Sequence, residues 1–172
     1  MEKISSINNN ILAVPGNCDQ AGVDKYLYIQ DWNLHNEVKH FNGYSFIGLG
    51  GSLPCPGKTP GEYSENDYNL FISSLSNKID PESQKVLVTH QPPFETINDR
   101  VTSGMHVGST VIRKFIENIQ PLIVFTGHIH EGAGIDTLGN SKIINPGPFM
   151  QGNYGYAKIL DGQVVDLEIR KC

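Results

Sequence analysis

The sequence lacks any long apolar stretch. Its apolar runs are short, as at residues 122–125, whereas a membrane-crossing helix needs about 20 consecutive apolar residues. The first ten residues contain no apolar segment of the kind found in secretory signal peptides. We therefore expect no transmembrane helix, no signal peptide and no membrane partner.

Cysteine is scarce and basic residues are not clustered. The three cysteines are an odd number at irregular spacing, which argues against a disulfide framework and favours a reducing cytoplasm. The 13 basic and 18 acidic residues give a net charge of −5 without a Lys/Arg cluster, which argues against a nucleic-acid partner. No repeat or long linker divides the 172 residues, so we expect one domain, 1–172.

Hydrophobic periodicity predicts an α/β fold, with strands and helices alternating over the first two-thirds and mostly strands in the last third. A hairpin is expected around Asn42-Gly43, and helices are expected to begin after Ser64 and Ser109. A further short helix is expected within residues 19–30. Three short apolar runs are typical of buried strands, namely residues 11–14, 85–89 and 122–125.

Each of these three runs is followed by residues that could bind a metal. They are Asn17 after the first run, His90 after the second, and His128 and His130 after the third. Ligands of open α/β sheets bind beyond the carboxyl ends of the strands, and an amide oxygen with imidazoles suits Mn, Fe, Co or Zn. In extended backbone, His128 and His130 would leave the same side. Taken singly, each histidine could be structural and Asn17 could be a turn residue.

The order Gly16-Asn17-x-Asp19, then a strand ending at His90, then Gly127-His128-x-His130 resembles the calcineurin-like metallophosphoesterases, above all the small prokaryotic phosphoesterases. The resemblance covers about residues 11–169. It implies a four-layer α-β-β-α sandwich with two divalent metal ions (Mn, Fe, Zn, Co or Ni). It also implies that Asn17, His90 and His128 bind one metal and His130 the other, with Asn17 and His128 also contacting substrate.

The chain departs from the family pattern at its start. The family begins with a strand carrying Asp-x-His, a helix, and a strand ending in Gly-Asp, which together supply three further ligands. Only ten residues precede residue 11 here, too few for a unit that needs about 30, and no Asp-x-His occurs in the sequence. We therefore expect an N-terminally incomplete domain with impaired activity. Apolar surface left uncovered would favour insolubility or a homo-oligomer.

Cys18 is the second departure, because the family motif has a histidine at this position. That histidine is thought to protonate the leaving oxygen or stabilise the transition state. Cys18 could replace it, and His106 in the loop 104–108 is another candidate for the catalytic acid, although His106 could also be an ordinary exposed loop residue.

The function expected from these residues is hydrolysis of phosphomonoesters or phosphodiesters, including nucleotides, by a metal-activated water. The alternative is a non-catalytic scaffold or binding module of the same fold. The three metal-type histidines argue against the alternative, since a scaffold does not need them.

Overall fold

The computed structural model describes residues 2–172. Its α-helices are α1 (Glu2–Ser5), α2 (Gly22–Ile29), α3 (Glu65–Ser76) and α4 (Thr110–Ile119). Its strands are β1 (Glu37–Phe41), β2 (Tyr44–Leu49), β3 (Gln84–Thr89), β4 (Ile123–Phe125), β5 (Gly134–Leu138), β6 (Ser141–Asn145), β7 (Asn153–Leu160) and β8 (Gln163–Lys171). Within the described residues, no helix combines the length and apolar character needed to cross a membrane.

A six-stranded sheet forms the centre of the molecule, in the order β1-β2-β3-β4-β6-β5. The pairs β2–β3, β3–β4 and β4–β6 are parallel, while β1 and β5 pair antiparallel at the two edges. The expected α/β class is thus confirmed. Because β3 and β4 are adjacent and parallel, the chain segments that follow them leave the sheet side by side.

Two local sequence signals produce the elements that they predict. Asn42 and Gly43 both have positive φ, 49° and 80°, as the tight turn between β1 and β2 requires. Helix α3 begins after Ser64, whose hydroxyl accepts from the Asp67 backbone N–H. The Asp67 carboxylate accepts in return from the Ser64 backbone N–H.

Helices α3 and α4 cover one face of this sheet. Residues that alternate along the strands, such as Ile47 and Leu87, point into a shared core with Tyr68 of α3 and Ile112 of α4, all fully buried. The large apolar side chains of both helices recur at helical spacing, so burying them fixes the helices against the sheet.

The opposite face is covered in part by the two-stranded sheet of β7 and β8. Gly155 of β7 lies over it so closely that a Cβ there would be 3.2 Å from Cδ1 of Ile144 and 3.7 Å from the Phe125 ring. Residues 9–12 cover another part of this face. Beside residues 9–12 lies a cavity of about 470 Å³, whose lining includes Phe46, Val86, Val88 and Phe125.

The prediction of a buried strand at residues 11–14 is wrong. Within this segment Ala13 forms an isolated bridge with Asn33, and all four residues are only half-buried. Two hydrogen bonds hold the segment, from the Ala13 N–H to the Trp32 oxygen (2.8 Å) and from the Leu34 N–H to the Ala13 oxygen (2.8 Å). These contacts join it to an irregular loop, so no strand ladder forms, and Pro15 then removes a donor.

Candidate metal centre

An open cavity of about 580 Å³ lies beyond the carboxyl ends of β3 and β4. The four metal-ligand candidates come together here. The lining residues are Gly16, Asn17, Cys18, Asp19, His90, His128 and His130. The structure therefore places Asn17, His90, His128 and His130 in one site, as their positions in the sequence predict, while their roles remain predictions.

His90 is held by continuation of the sheet hydrogen bonds past the end of β3. Its N–H donates to the Leu49 oxygen (2.9 Å), and its own carbonyl oxygen accepts from the Gly127 N–H (3.3 Å). Gly16 approaches the imidazole so closely that a Cβ would lie 3.0 Å from Cε1 of His90. The glycine before Asn17 is thus needed for close approach to His90.

The turn at residues 16–19 fixes Asn17. The Asp19 carboxylate accepts from the Gly16 N–H (2.7 Å), and the Asp19 N–H donates to the Gly16 oxygen (3.2 Å). The Asn17 carbonyl oxygen also accepts from the Gly61 N–H (2.8 Å). With only 6% of its surface exposed, Asn17 cannot move its side chain freely.

His128 and His130 reach the cavity by a different backbone path from the one expected. His128 has a φ of 64°, and His130 begins a 3₁₀ turn (His130–Gly132), so the segment is not extended. The Asn145 amide pins this turn by donating to the Ile129 oxygen (2.7 Å). The premise that both side chains leave one side of an extended segment is therefore wrong, although both line the cavity.

Three donor atoms converge within this cavity. The Asn17 Oδ1 lies 2.9 Å from His90 Nε2 and 3.2 Å from His128 Nδ1. Ligand atoms lie about 2.0–2.2 Å from a zinc-like cation, so neighbouring ligands in one coordination shell are about 3–3.5 Å apart. The separations around Asn17 Oδ1 match that spacing, and the residues present therefore fit a single divalent cation.

Both of these imidazoles are neutral at pH 7. Burial, followed by the neighbouring His128 ring, lowers the pKa of His90 to about 4, although the Asp19 carboxylate opposes the shift. Burial also lowers the pKa of His128, and the His130 ring adds to that effect. Neutral imidazole is the form that binds metals, so the electrostatics agree with the geometry.

The set of candidate metal ligands depends on the Asn17 amide oxygen. Within residues 2–172, no group of three or more His, Cys, Asp or Glu side chains is arranged to hold a metal ion. His130 is more exposed than His128 and also lines the cavity. The described residues thus fit one cation around Asn17 Oδ1, and His130 is the residue that the resemblance assigns to a second cation.

The two acid candidates are placed differently. Cys18 is an exposed free thiol on the cavity wall. The cavity lining does not include His106, whose Nδ1 lies 2.7 Å from the Asp99 carboxylate. Asp99 is fully buried and also accepts from the Thr96 and Gly108 N–H groups. The structure therefore places Cys18 at the site, whereas His106 lies outside the cavity lining and contacts Asp99.

The sequence did not predict the side chains that contact the amide nitrogen of Asn17. The Asn17 Nδ2 donates to Thr59 Oγ1 (2.9 Å), which also contacts the Glu62 carboxylate (3.0 Å). Both residues belong to the Gly/Pro-rich segment 50–63, which has no helix or strand of its own. A long loop of this composition is a general signal for a functional segment, but it does not identify the residues.

Comparison with known proteins shows what the chain is similar to. A sequence model described as "Metallophosphoesterase, calcineurin superfamily" matches residues 1–169. The uncharacterized protein MJ1162 of Methanocaldococcus jannaschii is 39% identical over 155 residues, which are 86% of this chain and 69% of that protein. The UPF0046 protein K07C11.7 of Caenorhabditis elegans is 33% identical over 73 residues, 42% of this chain and 24% of that protein.

Two solved structures share the fold. One crystal structure matches 99% of this chain and 68% of its own with a TM-score of 0.79 and 21% identity. TT1561 of Thermus thermophilus matches 88% of this chain and 64% of its own with a TM-score of 0.58 and 20% identity. At these identities the likeness concerns the fold alone.

Proposed function

Because the chain belongs to the calcineurin superfamily of metallophosphoesterases, we propose that it is a metal-dependent phosphoesterase acting on phosphomonoesters or phosphodiesters, including nucleotides. The observation that carries this proposal is the convergence of His90 Nε2 and His128 Nδ1 on Asn17 Oδ1 inside an open cavity. The cavity, at about 580 Å³, has room for a small phosphate ester.

Asn17, His90 and His128 would hold one cation of the Mn, Fe, Co, Ni or Zn type. A bound divalent cation supplies charge neutralisation for the phosphate and lowers the pKa of a coordinated water. The chain's own contribution is to present two neutral imidazoles and one amide oxygen at fixed positions. His130 would be the ligand available for a second cation. Asn17 and His128, which line the cavity, would also contact the substrate.

Cys18 is the candidate best placed to donate a proton to the leaving group, because its thiol is exposed on the cavity wall. Replacing it tests this role. If the thiol acts as the acid, Cys18→His should raise turnover, since an imidazole is the better acid at neutral pH and general-acid terms contribute about 10²–10⁴-fold. Unchanged turnover in Cys18→His would exclude position 18, and His106→Ala would then test the second candidate.

A non-catalytic binding module of the same fold is the second candidate function. One observation favours it, namely that the donor set in the described residues contains no group of three His, Cys, Asp or Glu side chains. Neutral donors without a carboxylate hold cations more weakly than charged sets, so we expect slow turnover even if the protein is an enzyme.

Hydrolysis of p-nitrophenyl phosphate and bis-p-nitrophenyl phosphate, with and without Mn²⁺, tests the proposal. We expect Mn²⁺-dependent turnover that falls about 100-fold or more in His128→Ala. The control is His40→Ala, because His40 lies in β1 and contacts Ser45, away from the cavity. Turnover that needs no metal, or that survives His128→Ala, would contradict the proposal. Metal binding without turnover would favour the binding module.

A further inference from the structure

We propose that Glu62, acting through Thr59, is a positioning residue that turns the Asn17 carboxamide so that its oxygen faces His90 and His128. The inference rests on the proposed function, because it concerns how the metal-binding donor set is assembled. It assigns a task to the segment 50–63, which neither lines the cavity nor belongs to a helix or strand.

The orientation of a carboxamide decides its chemistry, because its two ends have nearly the same shape but one accepts hydrogen bonds and the other donates them. The oxygen end accepts hydrogen bonds and can ligate a cation, whereas the NH₂ end only donates. If the NH₂ group of Asn17 faced His90 and His128, the site would lose its oxygen ligand. Packing alone cannot select between the two ends, so hydrogen-bond partners must do so.

Thr59 is the partner at the other end of the amide. Its Oγ1 lies 2.9 Å from Asn17 Nδ2 and 3.0 Å from Glu62 Oε1. A hydroxyl has one proton to donate, and an ionised carboxylate can only accept. The Thr59 proton must therefore point to Glu62, which leaves the Thr59 oxygen to accept from the Asn17 NH₂ group.

Hydrogen bonds keep the Glu62 carboxylate ionised and hold it in position beside Thr59. The Thr59 backbone N–H (2.6 Å) and the Cys55 thiol (3.1 Å) both donate to its Oε1. These hydrogen bonds, the backbone bond first, lower the pKa of Glu62 to about 2, so the carboxylate is ionised at neutral pH. A bridge between Ser52 and Glu62 fixes the backbone of the segment.

The hydrogen-bond directions that Glu62 imposes on Thr59 and Asn17 also determine the tautomers of His90 and His128. Since Asn17 Oδ1 can only accept, the metal-free protein should carry its ring protons on Nε2 of His90 and Nδ1 of His128. These tautomers are a readout of the Asn17 orientation that needs neither metal nor substrate. A residue with a merely structural role in the loop would leave them unchanged.

The test compares Thr59→Val, which removes the hydroxyl at nearly constant volume, with Thr59→Ser, which keeps it. In the full chain we expect Thr59→Val and Glu62→Gln to weaken Mn²⁺ binding about 10–100-fold by calorimetry, the usual effect of losing a ligand's hydrogen-bond partner. Thr59→Ser should restore binding to near the wild-type value. Glu117→Gln is the control, because Glu117 pairs with Arg113 at the surface.

Ring ¹⁵N spectra of the metal-free proteins complete the test. Thr59→Val should mix the His90 and His128 tautomers, and Thr59→Ser should keep them. Wild-type affinity and tautomers in both Thr59→Val and Glu62→Gln would overturn the inference, and Glu62→Gln carries the test alone if Thr59→Val does not fold. If the wild-type protein binds no Mn²⁺, the proposed function fails, while the spectra still decide whether Glu62 and Thr59 orient Asn17.

Discussion

His35 is a half-buried imidazole that lies outside the candidate metal centre. Its Nδ1 accepts from the Gly50 N–H (2.8 Å), and its ring stacks on Tyr63 with centroids 5.5 Å apart and meets the edge of Phe71 at 5.2 Å. Burial lowers the pKa of His35 by more than the Asp24 carboxylate raises it. The native environment therefore favours the neutral ring, which accepts the Gly50 hydrogen bond.

This shift predicts a pH dependence of stability. Above the unfolded-state pKa of about 6.5, the ring is neutral in both states and contributes no pH dependence. As the pH falls below about 6.5, the unfolded chain takes up a proton first, so the free energy of unfolding decreases until the lowered native pKa is passed. The His35→Gln variant should lose less stability than wild type between about pH 7.5 and pH 5.5.

Urea unfolding of both proteins at the two pH values measures the difference. The pKa values of His90 and His128 are also lowered in the native protein, and the comparison cancels their contributions because both histidines are present in both proteins. Equal losses of stability in wild type and His35→Gln would show that the native His35 ring is not held neutral.

Individual site residues differ in how far the sequence predicts them. Asn17, His90 and His128 could be found because each lies just beyond an apolar run, and all three meet at one cavity. Thr59 and Glu62 could not be found, because their approach to Asn17 depends on long-range backbone hydrogen bonds such as the one from the Gly61 N–H to the Asn17 backbone oxygen. Composition and periodicity carry no information about such pairings.

Helix α3 shows how a single terminus supports an element. The Ser64 hydroxyl and the Asp67 carboxylate satisfy each other's backbone N–H groups, and these hydrogen bonds lower the pKa of Asp67. The helix buries Tyr68 and Leu75 against the sheet. Its N-terminus therefore fixes where the apolar face begins. The Glu65 carboxylate in the first turn also accepts hydrogen bonds from Ser109 and Thr110 at the start of α4.

Removal of the Ser64 cap should destabilise the protein. Ser64→Ala leaves the Asp67 N–H without its acceptor, and such substitutions typically cost about 1 kcal/mol of unfolding free energy. Ser73→Ala in the same helix is the matched control, because the Ser73 hydroxyl only donates to the Asn69 oxygen within the helix. Chemical denaturation of both variants checks this, and equal stabilities would contradict the cap's role.

The elements that the sequence predicts well are those with local determinants. Asn42-Gly43 specifies the β1–β2 hairpin, and Ser64 and Ser109 mark the starts of α3 and α4. The segment 11–14 has the apolar character of a strand, but a strand also needs a neighbour to complete its ladder. That neighbour is a tertiary feature, and among the described residues only the loop at residues 32–34 pairs with this segment.

The whole molecule has one sheet face that is incompletely covered. A cavity of about 470 Å³, lined by residues 9–12 together with Phe46, Val86, Val88 and Phe125, lies on this face. Within residues 2–172, β7 pairs with β8 alone, so its other edge carries unpaired backbone groups. Apolar surface beside an open strand edge favours association of chains.

We therefore expect the chain, expressed alone, to form homo-oligomers or aggregates. Sedimentation velocity over about a 100-fold range of concentration should show larger species as concentration rises. Added salt should leave this association intact, since it is driven by apolar burial, whereas contacts between surface charges would weaken. A monodisperse monomer at every concentration would contradict the expectation.

The most direct test of the metal centre is anomalous diffraction from crystals of the chain grown with Mn²⁺. The structure predicts one strong peak within about 2.0–2.6 Å of three atoms, Asn17 Oδ1, His90 Nε2 and His128 Nδ1. The Asn17 amide should present its oxygen to that peak and its nitrogen to Thr59. The absence of a peak in this cavity at saturating Mn²⁺, or a peak bound only by other residues, would contradict the account.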